Sequence, residues 1–204
     1  MSHGYLPGPE ERDGFRFRGG SLPLDLTATL AGRLKPAPKE LLDQPEDLSR
    51  WLVAAGLCLD PPAASPADVD LARELREAIY ALATSRIEAA AAAGPHLETL
   101  NRLAASPAAV PQLREGGAVA LVGSTASLLA LVAREAVELL GGPEAARIRQ
   151  CGAESCTLLF IDRSRKHDRR WCSMAGCGNK AKVESFRRRR RDLAAPAAGR
   201  AGRS

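Results

Sequence analysis

The chain lacks several features, and each absence excludes a class of protein. Its longest apolar stretches, such as Ala89–Ala93 and Ser127–Ala133, fall far short of the roughly 18–20 residues that a spanning helix needs. No membrane span is expected. Met1-Ser2-His3-Gly4-Tyr5 followed by Glu10-Glu11 has no basic segment leading into an apolar one, so no signal peptide is read and a cytoplasmic location is expected. A Gly-rich phosphate loop, a nucleophile elbow and a paired-acid motif are also missing. A binding protein is expected, not an enzyme. No internal repeat is visible.

The 204 residues are 45% hydrophobic and 26% charged, enough for a packed core in one domain of ordinary size plus a smaller second one. The net charge of +5 hides a division. Residues 1–146 carry 13 Lys/Arg against 19 Asp/Glu, whereas residues 147–204 carry 16 against 5. The two parts, at −6 and +11, suit different surroundings.

Four pieces are expected: a flexible N-terminus (1–14), a mainly α domain with a small β-hairpin (15–146), a cysteine-bearing module with a basic helix (147–191) and a disordered tail (192–204). Phe15–Arg18 alternates apolar and basic residues as a short strand does. Leu22, Leu26, Leu30 and Leu34 recur every fourth position, the mark of one helical stripe. A helix over Pro45–Ala55 stops at Gly56. Ser65-Pro66-Ala67-Asp68 opens another, with Leu71, Leu75, Ala78, Ile79 and Leu82 inward and Arg73, Glu74, Arg76 and Glu77 outward. Leu97, Leu100 and Leu103 mark a short helix closed by Ser106-Pro107, and a longer helical pattern runs from Thr125 until Gly141-Gly142-Pro143 stops it. Ala118–Val122 reads as a strand pairing with the one near Phe15. Trp51, Tyr80 and Cys58 are expected to pack in the core, and His96 to lie at a helix start.

Chemistry concentrates at the cysteines. Four of the five fall within residues 151–177, as Cys151-x4-Cys156, fifteen intervening residues, and Cys172-x4-Cys177. Two pairs with a glycine in each turn, Gly152 and Gly176, can converge four thiolates on one structural Zn²⁺. An iron–sulfur cluster and a pair of disulfides are the alternatives; reduced cytoplasmic thiols disfavour the disulfides. Four sulfurs would fill a tetrahedral site and leave no position for a reacting water. His167 is then expected to be solvated. Thr157–Asp162 reads as a strand, Arg163–Asp168 as a polar turn and Arg169–Trp171 as the return, so a short hairpin fits, with Phe160 and Trp171 as a miniature core. A helix is expected to start near the second pair, giving a treble-clef-like, four-cysteine zinc finger of hairpin plus helix.

Zn²⁺ with four thiolates adds −2, so the module remains basic, near +9. Arg169, Arg170, Lys180, Lys182 and the run Arg187, Arg188, Arg189, Arg190 and Arg191 are the candidate nucleic-acid contacts, acting on phosphates. Opposite charge also raises the expectation that the acidic domain folds back on its own finger.

Phe160-Ile161-Asp162-Arg163-Ser164, Arg169-Arg170-Trp171 and Cys172-Ser173-Met174-Ala175-Gly176-Cys177-Gly178-Asn179-Lys180 together resemble the CGNR zinc-finger family. Phe17–Gly20, Leu24-Asp25-Leu26, Asp47-Leu48 with Trp51-Leu52, Leu75–Ala78 and Ala136–Leu140 look like the ABATE domain that precedes that finger. The resemblance covers about residues 15–191. It implies a transcription regulator whose finger binds DNA and whose N-terminal domain senses a stress or small ligand; homodimerisation is a further expectation for that acidic domain. Lys180 departs from the motif's arginine, keeping the charge without the bidentate fork. RNA or ribosome association, and a redox switch in which oxidised thiolates release zinc, are the rival readings.

Overall fold

The computed structural model describes residues 10–91, 94–154 and 156–194, with 191–194 as backbone alone. The expected flexible start and tail lie largely outside these residues. Glu11–Arg12 (β1) nevertheless pairs with Phe15–Arg16 (β2), and the last helix continues to Ala194. After β2 come Leu22–Thr27 (α1), the two-residue strands Leu30–Ala31 (β3) and Lys39–Glu40 (β4), and helices Pro45–Ala54 (α2), Pro66–Ile87 (α3) and Gly94–Ala105 (α4). Val110–Leu113 (β5) and Val119–Val122 (β6) form a hairpin ahead of Thr125–Gly141 (α5). Ile148–Gln150 (β7), Leu159–Ile161 (β8) and Asn179–Ala194 (α6) complete the chain. Every sheet is an antiparallel pair. The mainly α domain and the hairpin-plus-helix finger are both present.

Local chemistry sets the helix ends. Ser65 caps α3, accepting a hydrogen bond from the Asp68 N–H, while the Asp68 carboxylate accepts one from the Ser65 N–H. Leu75, Ala78, Ile79 and Leu82 of α3 are buried, as their spacing predicts. Leu75, Ile79 and Leu82 join Leu48, Trp51, Leu129 and Val132 in the main core, in which Trp51 stacks on Phe17. Cys58 packs half-buried against it.

Four expectations need correction. The leucine stripe ends early: α1 stops at Thr27, and Leu34 is 70% exposed. The Thr27 and Thr29 hydroxyls bond back to the Leu24 and Leu26 carbonyls, and Gly32, at φ +67°, turns the chain. The strand at Val119–Val122 pairs with β5 instead of the Phe15 segment, because Gly116 and Gly117 supply a local turn. Arg76 does not point outward. It is 3% exposed and holds Glu40 through two contacts of 2.6 and 2.8 Å, with Nε 2.8 Å from Glu77. Finally, β8 pairs with β7 and not with residues 169–171, so the first cysteine pair sits in the hairpin turn itself.

That hairpin joins the two charge regions. Side chains alternate across a strand, so Leu159 and Ile161 face one way and Phe160 the other. Leu159 and Ile161 pack with Ile148 against Leu24, Ala83 and Leu139 of the helical part. Phe160 packs instead with Leu158, Cys151 and Cys172. The docking is apolar at its centre, each such burial contributing about 1.5–3 kcal/mol. Polar contacts surround it: Ile161 N–H to Gly19 O (2.9 Å), and Arg163 to Gly20 O and to both carboxylate oxygens of Glu144.

Beside this junction Glu135 accepts a hydrogen bond from Leu22 N–H. Burial raises the Glu135 carboxyl to about 7, the Leu22 contact and Arg163 opposing the rise and Glu138 adding to it. A carboxyl raised in the folded state contributes stability below its unfolded value of 4.5 and loses it as pH climbs through about 7. Glu135→Gln stays neutral, so urea unfolding should show it more stable than the parent by on the order of 1–3 kcal/mol at pH 8 and equal below pH 4.5. A pH-independent difference would contradict the assignment.

Candidate metal centre and basic helix

The first cysteine pair is formed by the β7–β8 connection. Cys151 N–H donates to Leu158 O at 2.9 Å, and Gly152 N–H donates to Arg170 O at 2.8 Å, tying the turn to the approach to the second pair. Of the second pair, Cys172 comes just before a wide turn, Met174–Gly178, and Cys177 lies within it; the turn runs directly into α6. Ser173 starts this turn by accepting a hydrogen bond from Gly176 N–H. Cys177 is therefore one residue inside the end of the turn and two before the helix.

All four sulfurs lie within 4.8 Å of one another. Cys156 and Cys172 sulfurs are 3.9 Å apart, and those of Cys172 and Cys177 3.6 Å. Tetrahedral zinc with bonds of about 2.3 Å requires sulfurs about 3.8 Å apart, so the donor set fits the ion. It does not fit disulfides, since all five cysteines are free. Cys151 and Cys172 are buried, while Cys156 and Cys177 are half-buried. The sulfurs also polarise one another. Contacts from the Cys156 and Cys172 side chains pull the Cys151 thiol well below its ordinary value, and the reciprocal contact from Cys151 pushes Cys156 and Cys172 up. A divalent ion removes this inequality by ionising every thiol it binds. Cys172 N–H, 3.4 Å from the Cys151 sulfur, is in place to stabilise its charge.

Around the cysteines the charged residues divide by task. Asp162 is fully buried and accepts hydrogen bonds from Ser164 N–H (2.9 Å) and Arg169 N–H (3.0 Å). Burial alone would raise its carboxyl, but the Ser164 and Arg169 hydrogen bonds outweigh that and hold it low. Arg169 turns inward: its guanidinium lies 4.6 Å from the Phe160 ring centroid and donates to the Trp171 and Cys172 carbonyls. Arg170 is exposed, its guanidinium 5.2 Å from the Trp171 ring. His167 is exposed in the turn and stands outside the sulfur cluster. Lys180, Lys182 and Arg187–Arg190 are exposed along α6; the Arg191 side chain lies outside the described residues. Asp162 and Arg163 escaped the sequence reading as structural residues. Their signal was the D-x-S spacing, in which an acid two residues before a serine forms a side-chain-closed turn.

A family model named ABATE and described as "Putative stress-induced transcription regulator" matches residues 20–143. A second, for the CGNR zinc finger, matches residues 147–190. No curated protein matches the chain significantly. Among the described residues no helix is long and apolar enough to cross a membrane.

One structural zinc ion would be held by Cys151 and Cys156 of the β7–β8 connection and by Cys172 and Cys177 ahead of α6, but β8 is also held by the helical core. Cys172→Ser should therefore abolish stoichiometric zinc and expose the α6 amides to hydrogen exchange, while the Ile161 amide, bonded to Gly19, stays protected. Full zinc content with a protected α6 would overturn the structural role of Cys172.

Proposed function

We propose that this chain, which belongs to the ABATE family and ends in a CGNR zinc finger, is a zinc-holding transcription regulator that binds duplex DNA through α6. The observation that carries this reading is the helix itself. From Lys180 to Arg190 its exposed cations are Lys180, Lys182 and Arg187–Arg190, against Glu184 as the one acid in that span. Its first turn is continuous with the zinc turn, so the metal orients the row of charge.

Helical geometry sharpens the contact. At 100° per residue, half-buried Ala181 and Ser185 mark the side toward the module, and Asn179, Val183, Phe186 and Arg190 lie on the other. Exposed Val183 and Phe186 give that side apolar surface suited to a groove floor, with arginines on both flanks to reach phosphates. Arg170, next to the second pair, extends the basic surface. Arg169 serves as a positioning residue, since its guanidinium is spent on backbone carbonyls and Phe160. In this reading the protein works in the cytoplasm by binding and not by catalysis, and the helical domain receives a stress signal or mediates dimerisation.

Each neutralised phosphate contributes about 0.9 to the slope of log affinity against log salt. Arg187→Ala with Arg190→Ala should weaken binding to a random-sequence duplex at all salt concentrations and reduce that slope by about 2. An unchanged slope, or structured RNA outcompeting the duplex at physiological salt, would refute the reading.

A further inference from the structure

A cleft of about 400 Å³ opens between the β3–β4 hairpin, the cysteine turns and the start of α6. That volume is within the range of small-molecule sites. Its charged lining is mostly of one sign: Arg16, Arg18, Lys35 and Lys39 from the helical part and Lys180 from α6, against Glu154 and Glu184. Several arginines elsewhere in the helical part meet carboxylates, as Arg33 meets Glu77, Arg50 meets Asp13 and Arg102 meets Glu74, while others, such as Arg86, Arg114 and Arg134, do not among the described residues. Arg18 pairs with Glu10, but Arg16, Lys35, Lys39 and Lys180 form no ion pair among the described residues. An acidic domain has left three of its cations unpaired on one wall.

Two of those cations are held in place. Gly32, at φ +67°, has no side chain, and the Lys35 stem fills that space, its Cδ 2.9 Å from where a Cβ would stand. Lys35 N–H also donates to Gly32 O at 2.8 Å. Lys39 precedes Glu40, which the buried Arg76 grips with both nitrogens. The strand carrying Lys39 is thereby pinned to α3. Cys156, Cys172 and Cys177 border the cleft too, and a zinc tetrathiolate brings a net −2. Arg18, whose Nη1 lies 3.4 Å from where a Cβ on Gly176 would be, is placed to offset that charge. Four cations then face two carboxylates. Ala28, Leu30 and Leu158 add apolar surface beside them.

We propose that this cleft binds a small organic phosphate, a dianion with an apolar body, whose phosphate group sits among Arg16, Lys35, Lys39 and Lys180. Such a ligand would touch the helical part and the zinc module together. The site shares Lys180 with the proposed DNA-binding helix, its other cations coming from the helical part, and calorimetry with a small phosphate, not DNA affinity, is its readout.

Phenyl phosphate titrated calorimetrically into the zinc-loaded full chain is the probe. Saturable one-to-one binding is expected. Lys35→Glu with Lys39→Glu should weaken it at least about tenfold, with zinc content and melting temperature unchanged. Arg16→Gln, at an exposed position, provides a second variant and should weaken binding in the same direction. No saturable binding to the parent, or equal binding by the variants, would overturn the proposal. So would a loss confined to duplex DNA affinity in the double variant, which would assign these cations to a nucleic-acid backbone.

Discussion

Four thiolates brought to one point is the constraint on which the C-terminal part depends. Like-charged sulfurs do not gather in a basic, loop-rich segment unless a cation takes the charge and backbone N–H groups and buried side chains hold the geometry. Here Phe160 fills the space beneath Cys151 and Cys172, and Arg169 ties that ring to the Trp171 and Cys172 carbonyls at the start of the second pair. Asp162 closes the intervening turn so that Arg169 arrives in register. The turn that carries Cys177 runs straight into α6, so an ion held by the four sulfurs would fix where that helix starts.

Strand β8 makes this centre part of a larger body. Its alternating faces place Phe160 on the cysteines and Leu159 and Ile161 on the helical core. The acidic and basic parts are thus joined mainly through apolar side chains, with Arg163 and Glu144 as the polar clasp at the rim. Charge complementarity plays a smaller part in this docking than the overall division of charge suggests. Within the helical part, the network of Arg76, Glu40, Glu77 and Arg33 does a different task, fixing the β3–β4 hairpin to α3. For Glu40, burial would raise the carboxyl, but hydrogen bonds from Arg76 and Leu42 prevail and keep it charged. An ion pair at this depth adds little net stability by itself. It determines where the hairpin lies.

Much of this was legible in the residues. Caps and leucine spacing located α2, α3, α4 and α5, and two C-x4-C pairs located the metal ligands, because both signals are local in sequence. What escaped was decided by tertiary contacts. Nothing near Arg76 indicates that Glu40, 36 residues away, will draw it inward. The Leu22–Leu34 stripe has helical spacing, but Thr27, Thr29 and Gly32 break it through backbone chemistry that periodicity does not record. The partner of β8 lay ahead of the first cysteine because Ile148 had a core to enter there. The cations of the cleft are dispersed from Arg16 to Lys180, so only the folded chain brings them together.

The central claim is that the metal centre, through α6, controls nucleic-acid binding. The most direct measurement follows duplex DNA affinity and bound zinc together as a chelator strips the full chain and zinc is then returned. Affinity is expected to fall in proportion to zinc lost and to recover when zinc is restored. Undiminished affinity in the zinc-free protein would contradict it.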